Sequence, residues 1–264
     1  MISLFKNNPE TDFDIYVFSS DLSEESISLL NKLHSFHQKY NLHPVYVDSQ
    51  RFERLKLNIR HISVETYYRY IIADSLPNLD KILYLDADLV VLRDISDFYN
   101  QDMSSFYLSG SLDLHVKKLG YDKEIGCPNY INAGVLLMNL KKFRQDELGE
   151  KMIQKTLELQ DKIQFQDQDI LNIVCADHIK LADSIYNFAM RNVKQEKSKI
   201  KSAAILHYTG EKKPWGKKKS RLSSVWKKYN NILRRYKSHD TKPGLSTNRF
   251  FGVFLKLLNQ LKRQ

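Results

Sequence analysis

Cysteine is scarce, with two in 264 residues. Cys127 and Cys175 cannot build the disulfide framework of a small secreted domain, and they fit a reducing compartment. Long apolar runs are missing as well. No window reaches the roughly 18 consecutive apolar residues of a membrane-spanning helix. The opening MISLFKNNPETDFD lacks a charged start followed by an apolar core, so no signal peptide is read there. Acidic residues are rare at one end only. Residues 211–264 hold 16 Lys+Arg and 2 Asp+Glu, a net +14. The whole chain carries +10, so residues 1–210 carry 10 − 14 = −4. The sequence describes a mildly acidic body with a strongly basic tail. Such a tail calls for a polyanionic partner, an acidic membrane surface or nucleic acid.

An apolar fraction of 42% is enough for a sizeable core. FDIYVF (Phe13–Phe18) reads as a short buried strand. Ser23 then starts a helix with early glutamates and apolar residues at helical spacing. HPVYVDS (His43–Ser49) reads as a strand and Ser63–Ala73 as a helix. The strand of LPNLDKILYLDADLVV follows, then YINAGVLLMNLKKFR (strand into helix), the helix DILNIVCAD and the late strand AAILHY (Ala203–Tyr208). This alternation predicts an α/β layer around a mainly parallel sheet. After Trp215 the pattern turns basic, aromatic and short-helical. The predicted organisation is therefore a catalytic-type body over residues 1–216 and a tail over 217–264. The last stretch, RFFGVFLKLLNQLKRQ, is a basic amphipathic helix, suited to an anionic lipid interface or, alternatively, to docking on the protein's own core.

One stretch of the body carries unusual chemistry. In KILYLDADLVVLRDI, Asp86 and Asp88 interrupt two apolar runs. Unpaired buried carboxylates are costly, so they need partners, a metal or a strand end. A lone D-x-D most often marks a turn. The sharper reading is a divalent-cation site at the carboxyl end of a strand, where open α/β sheets place ligands. His207, ending the strand AAIL, is a candidate third ligand, since Mn²⁺ accepts imidazole beside carboxylates. In HYTGEKKPW, Gly210 allows close backbone approach and Lys213 offers a point charge for a phosphate. Together the four types of group suit a metal–diphosphate unit.

The ordered set HISVETYYR, YLDADLVV, YINAGVLLMNLKKF, FQDQDILN and HYTGEKKPW resembles the family 8 retaining glycosyltransferases, in particular the bacterial lipopolysaccharide and lipooligosaccharide galactosyl- and glucosyltransferases. The motifs span most of residues 13–216. The resemblance implies a GT-A fold, a UDP-hexose donor, Mn²⁺ (or Mg²⁺) and transfer to a sugar hydroxyl with retention. It puts Asp86, Asp88 and His207 on the metal and Gly210 and Lys213 at the diphosphate. It implies donor contacts from Arg69, otherwise a solvated helix charge; from Asn132, otherwise a turn residue; and from Asp167, otherwise a helix cap. Gln168 is implied nearest the reacting carbon, where an amide stabilises an oxocarbenium-like state better than it attacks. His61, Thr66 and Asp113 are implied on the acceptor side. The acceptor expected is a lipid-linked oligosaccharide, with the protein on the inner face of the cytoplasmic membrane, anchored through 217–264. A nucleic-acid partner would explain the tail's charge but not the motifs. A glycogenin-like enzyme with a soluble acceptor is the rival within the fold. The family also opens with a strand and nucleotide-binding loop that MISLFKNNPETDF does not match. The expectation is an N-terminally short body, and as an alternative function a truncated fragment that binds nucleotide poorly.

Overall fold

The computed structural model describes residues 1–59, 62–191, 197–216 and 220–240. Its strands are β1 Phe13–Ser19, β2 Tyr40–Tyr46, β3 Lys81–Leu85, β4 Leu89–Val91, β5 Leu108–Ser111, β6 Val135–Asn139, β7 Ile179–Ala182, β8 Phe188–Ala189 and β9 Ile205–His207. Its α-helices are α1 Ile2–Asn7, α2 Glu24–Asn31, α3 Ile72–Ser75, α4 Ser96–Tyr99, α5 Leu114–Leu119, α6 Tyr121–Glu124, α7 Leu140–Gln145, α8 Leu148–Leu159, α9 Asp167–Cys175 and α10 Ser223–Asp240.

Strand β6 is the centre of the molecule. Val135, Leu136, Leu137 and Met138 are apolar in succession and all fully buried, as a strand covered on both faces must be. Each such burial is worth about 1.5–3 kcal/mol relative to exposure. On one face Leu136 and Met138 join Leu140, Phe143, Met152 and Leu171 from α7, α8 and α9. On the other, Val135 and Leu137 join Phe5 of α1, Val90 of β4 and Leu206 of β9. The result is an α/β layer with a core on each side.

The sheet order is β3-β6-β5-β7, with β4-β9-β8 and β1-β2 as separate ladders. The pairing is mixed, not mainly parallel. β6 runs antiparallel to both β3 and β5, while β5/β7, β8/β9 and β1/β2 are parallel. The cause lies between β5 and β6, where the chain reverses through the short helices α5 and α6. DADLVV likewise forms the junction of two strands in different sheets. β3 pairs with β6, and β4 pairs with β9.

Strands β1 and β3 occupy one layer without pairing with each other. Tyr16 and Phe18 of β1 pack on the same core as Ile82 and Tyr84 of β3. Phe13 and Ile15 pack on the opposite core with Leu83 and Leu85. Among the described residues β1 pairs with β2 alone and β3 with β6 alone, and all of β3 is only half-buried.

One helical reading holds and one changes. Ser23 does cap α2, its side chain accepting from the Ser26 amide. The segment predicted as a helix over Ser63–Ala73 is a 3₁₀ helix, Val64–Tyr70, followed by the short α3. Four consecutive buried side chains, Tyr67 to Tyr70, leave it no solvent face of α-helical period. The boundary drawn at residue 216 also cuts through packed structure. Helix α10 lays Val225, Trp226, Tyr229, Ile232 and Leu233 against the second core. Asn7 Nδ2 donates to the Tyr229 hydroxyl over 2.9 Å. The amphipathic stretch from Arg249 onward lies outside the described residues, as does His61.

Candidate active site

Two antiparallel ladders bring the D-x-D carboxylates to one place. The β3/β6 register runs on past Leu85↔Val135, so the Asp86 amide donates to the Gly134 carbonyl over 2.9 Å. The β4/β9 register sets Leu89 opposite His207, and the Tyr208 amide donates to the Asp88 carbonyl over 3.0 Å. Asp86, Asp88 and His207 then offer ligand atoms that all lie within 4.8 Å of one another. His207 Nε2 stands 3.1 Å from Asp88 Oδ1 and 3.5 Å from Asp86 Oδ2.

The electrostatics ask for positive charge between these groups. Asp88 Oδ1 is buried and finds no hydrogen-bond partner among the described residues, its approach to His207 being close but poorly aligned. Its other oxygen takes the Lys213 ammonium, which also donates to the Tyr208 carbonyl over 3.0 Å. Burial alone would raise the Asp88 carboxyl. The His207 ring and Lys213 outweigh it and hold the group well below the usual carboxylate range. Burial alone would lower the His207 ring, and Asp88 and Asp86 outweigh it and raise it. A donor set of two carboxylates and one imidazole, with one buried carboxylate oxygen unsatisfied, fits a divalent cation such as Mn²⁺.

Glycine is required next to the triad. A Cβ on Gly134 would lie 2.7 Å from Asp86 Oδ2 and 2.8 Å from His207 Nδ1. Gly210 sits at φ +80°, and a Cβ there would press on the Arg191 guanidinium.

Arg69 is no solvated charge. It is buried, donates from Nη1 to the Ala133 carbonyl over 2.7 Å and reaches Asp86 Oδ1 from Nη2 at 3.4 Å. Its Nε lies 3.1 Å from Asp167 Oδ2. Burial, which disfavours the charged guanidinium, is outweighed first by Asp167. Thr66 donates to the other oxygen of Asp167, so a residue expected on the acceptor side braces one expected on the donor side. The Tyr84 hydroxyl donates to Asp86 Oδ1 over 2.7 Å, and its ring lies under Arg69.

The remaining expected residues form one polar group. Asp113 caps α5, its Oδ1 accepting from the amides of His115 and Val116. Its Oδ2 accepts from Asn132 Nδ2 at 3.0 Å and Gln168 Nε2 at 3.2 Å. Gln168 Oε1 accepts from the Ala133 amide and from Asn132 Nδ2, both at 3.0 Å. Asp167 is not the cap of α9. That position is Gln166, a fully buried non-glycine residue at φ 52° and ψ −122°, a backbone conformation that L side chains rarely adopt.

Sequence reasoning missed Gly134, Tyr84, Gln166 and Asn187. The signal for Gly134 was present, as a glycine that breaks the apolar periodicity of YINAGVLLM. Nothing in YNF marks Asn187 as more than a loop residue.

The α/β layer that carries this carboxylate–imidazole triad at its strand ends has the GT-A fold of the solved glycosyltransferases it matches. The chain belongs to glycosyl transferase family 8, whose profile matches residues 1–219. It is 30% identical to a Haemophilus influenzae glycosyltransferase over 233 residues, covering 84% of this chain and 70% of that one. It is 27% identical to a lipopolysaccharide 1,2-glucosyltransferase of Escherichia coli over 231 residues, covering 81% and 67%. The galactosyltransferase LgtC, solved in complex with donor and acceptor sugar analogs, matches with a TM-score of 0.75 at 30% identity, covering 91% of this chain and 90% of that one. The chain spans only 55% and 56% of two pneumococcal relatives, GlyF and GlyE.

Proposed function

We propose that this protein is a retaining hexosyltransferase that moves galactose or glucose from a UDP-sugar to a sugar hydroxyl of a lipid-linked, lipopolysaccharide-type acceptor. The carrying observation is the triad of Asp86, Asp88 and His207, with a buried carboxylate oxygen left unsatisfied. The names of the Escherichia coli relative and of the LgtC complex support the substrate class.

A divalent ion held by the triad would neutralise the donor diphosphate and stabilise UDP as it leaves. The protein's own groups do the rest. Lys213, released from Asp88, turns its ammonium to a phosphate oxygen, and Gly210 lets that phosphate approach the backbone. Arg69 holds Asp167 and Asp86 apart at fixed orientation, so Asp167 can accept from sugar hydroxyls, and Asn132 meets the donor sugar by exchanging one of its hydrogen bonds to Asp113 or Gln168. Gln168 Oε1 already accepts two hydrogen bonds. Its lone pairs are engaged, so it serves as a fixed dipole beside the reacting carbon and not as a nucleophile. Asp113, bonded to Gln168, with Thr66 and His61, belongs to the acceptor side.

Membrane attachment is assigned to the segment after residue 240, helped by α10. That helix buries its apolar stripe and turns Lys227, Lys228, Arg234 and Arg235 outward. This suits an anionic inner leaflet of the cytoplasmic membrane.

The test is direct. Purified protein is incubated with UDP-galactose or UDP-glucose, Mn²⁺ and a lipooligosaccharide-type acceptor, and the product's anomeric configuration is read by NMR. Transfer with retention that disappears in Asp88→Asn and in excess chelator supports the reading; full activity in chelator refutes the metal assignment.

A further inference from the structure

We infer that Asn187 is a positioning residue that fixes which ring nitrogen of His207 faces the two aspartates. The inference builds on the metal reading above, but the hydrogen bonds that carry it are independent of any ion.

The argument is one of donor and acceptor polarity. The Gly134 amide donates to Asn132 Oδ1 over 3.1 Å, and the Ala133 amide donates to Gln168 Oε1 over 3.0 Å. A backbone N–H only donates, so both side-chain amides have their oxygens identified. Asn132 Nδ2 agrees, since it meets two acceptors, Asp113 Oδ2 and Gln168 Oε1. Asn132 Oδ1 is therefore an acceptor for its next neighbour too. That neighbour lies 2.9 Å away and must be the nitrogen of Asn187. With its nitrogen committed, Asn187 presents Oδ1 to His207 Nδ1, also at 2.9 Å. An amide oxygen cannot donate, so His207 Nδ1 carries the hydrogen.

The consequence falls on the other ring nitrogen. In the neutral ring Nε2 keeps its lone pair, and Nε2 is the atom 3.1 Å from Asp88 Oδ1 and 3.5 Å from Asp86 Oδ2. That is the tautomer a metal ligand needs, fixed by a hydrogen bond from the far side of the ring. Asn187 is well placed for this role. It is buried, ends a 3₁₀ turn capped by Asp183, and leads into β8, whose parallel register sets Ala189 beside His207. The orientation thus passes from Asp113 through Asn132 and Asn187 to His207, linking acceptor-side groups to the metal-type triad.

The experiment uses the full chain, as wild type, Asn187→Ala and Asn187→Asp. Both substitutions lose the hydrogen bond to Asn132, but only Asn187→Asp keeps an acceptor for His207 Nδ1. Two readouts apply. Long-range ¹H–¹⁵N NMR of the metal-free protein, at a pH where the ring is neutral, reports the protonated nitrogen. Titration with Mn²⁺ alone reports affinity. The expected result is a proton on Nδ1 in wild type and Asn187→Asp, and a shift towards Nε2 in Asn187→Ala. Mn²⁺ affinity should fall about 10–100-fold in Asn187→Ala and stay near wild type in Asn187→Asp. A purely structural role would weaken both variants alike and would overturn the inference, as would a proton on Nε2 in wild type. If wild type shows Nδ1 protonated but binds no Mn²⁺, the metal reading fails while the tautomer assignment stands. Should Asn187→Ala not fold, Asn187→Asp and wild type still decide it, because a wild-type Nε2–H or a loss of Mn²⁺ affinity in Asn187→Asp overturns it.

Discussion

Gly134→Ala gives a sharp perturbation of the triad. The added methyl would sit 2.7 Å from Asp86 Oδ2 and 2.8 Å from His207 Nδ1. Carbon contacts settle at about 3.5–4.0 Å, and His207 Cε1 would lie closer still, so the carboxylate must retreat by roughly 1 Å and the ring by more. Neither retreats freely. His207 ends β9 and is bonded to Asn187, and Asp86 is bonded to Tyr84 and to the Gly134 carbonyl. Overpacking of this kind costs about 1–3 kcal/mol, a fall in melting temperature of about 2–12 °C for a chain of this size. The larger effect should be on metal affinity, because a displaced ligand loses more than the about 10–100-fold typical of disturbing its support. The assay is Mn²⁺ titration by calorimetry alongside thermal unfolding. Gly110→Ala is the control. Its Cβ would meet the tips of Ile131 and Leu136, so it should lower stability and leave Mn²⁺ binding alone. If Gly134→Ala binds Mn²⁺ like wild type, the triad is not the metal site.

Other outcomes follow from the same geometry. Asp88→Asn should abolish most Mn²⁺-dependent UDP binding, measured by calorimetry; unchanged binding would remove Asp88 from the metal set. The raised His207 ring should make metal affinity and metal-free stability respond oppositely to pH. The charged ring stabilises the metal-free fold below its ordinary value of 6.5, and that contribution is lost as pH rises through the raised value. Metal must displace the ring proton, so Mn²⁺ affinity should fall about tenfold per pH unit below it; a flat profile between pH 6 and 8 would argue against His207 as ligand. A chain ending at Asp240 should stay folded but sediment less with anionic vesicles, since about 1 kcal/mol per basic residue is available near such a surface. Ending it at residue 216 should also destabilise the body by stripping Trp226 and Tyr229 from the core. Equal sedimentation of the 240-residue and full chains would place the anchor elsewhere.

Much of this site was legible because its chemistry interrupts apolar runs. Asp86 and Asp88 between ILYL and LVVL, and His207 after AAIL, stand out as polar groups at the ends of apolar runs, where a turn and a metal site are the readings open. What the sequence hid is how they meet. That depends on two registers, Leu85↔Val135 and Leu89↔His207, set by non-local pairing. Asn187 and Gln166 were silent for a similar reason, since their roles come from partners 20 to 107 residues away. The direction of β6 was misjudged because alternating helices and strands suggest parallel crossovers, and two short helices can equally reverse the chain. Arg69 was recognised by resemblance, but its ion pairs were invisible, since on a bare helix it is one more surface cation.

The D-x-D junction has a further consequence for motion. Asp86 belongs to the β3/β6 ladder, while Asp88 and His207 belong to β4/β9. A ligand bound to all three bridges two hydrogen-bonded sheets that the chain joins here by a three-residue link. Opening either ladder would then require releasing the ligand, so its binding free energy is added to both opening reactions. Amide hydrogen exchange should therefore slow together at Asp86 and Tyr208, whose amides close the two ladders, on addition of Mn²⁺, while β1 and β2, which share no ligand with them, keep their own rate.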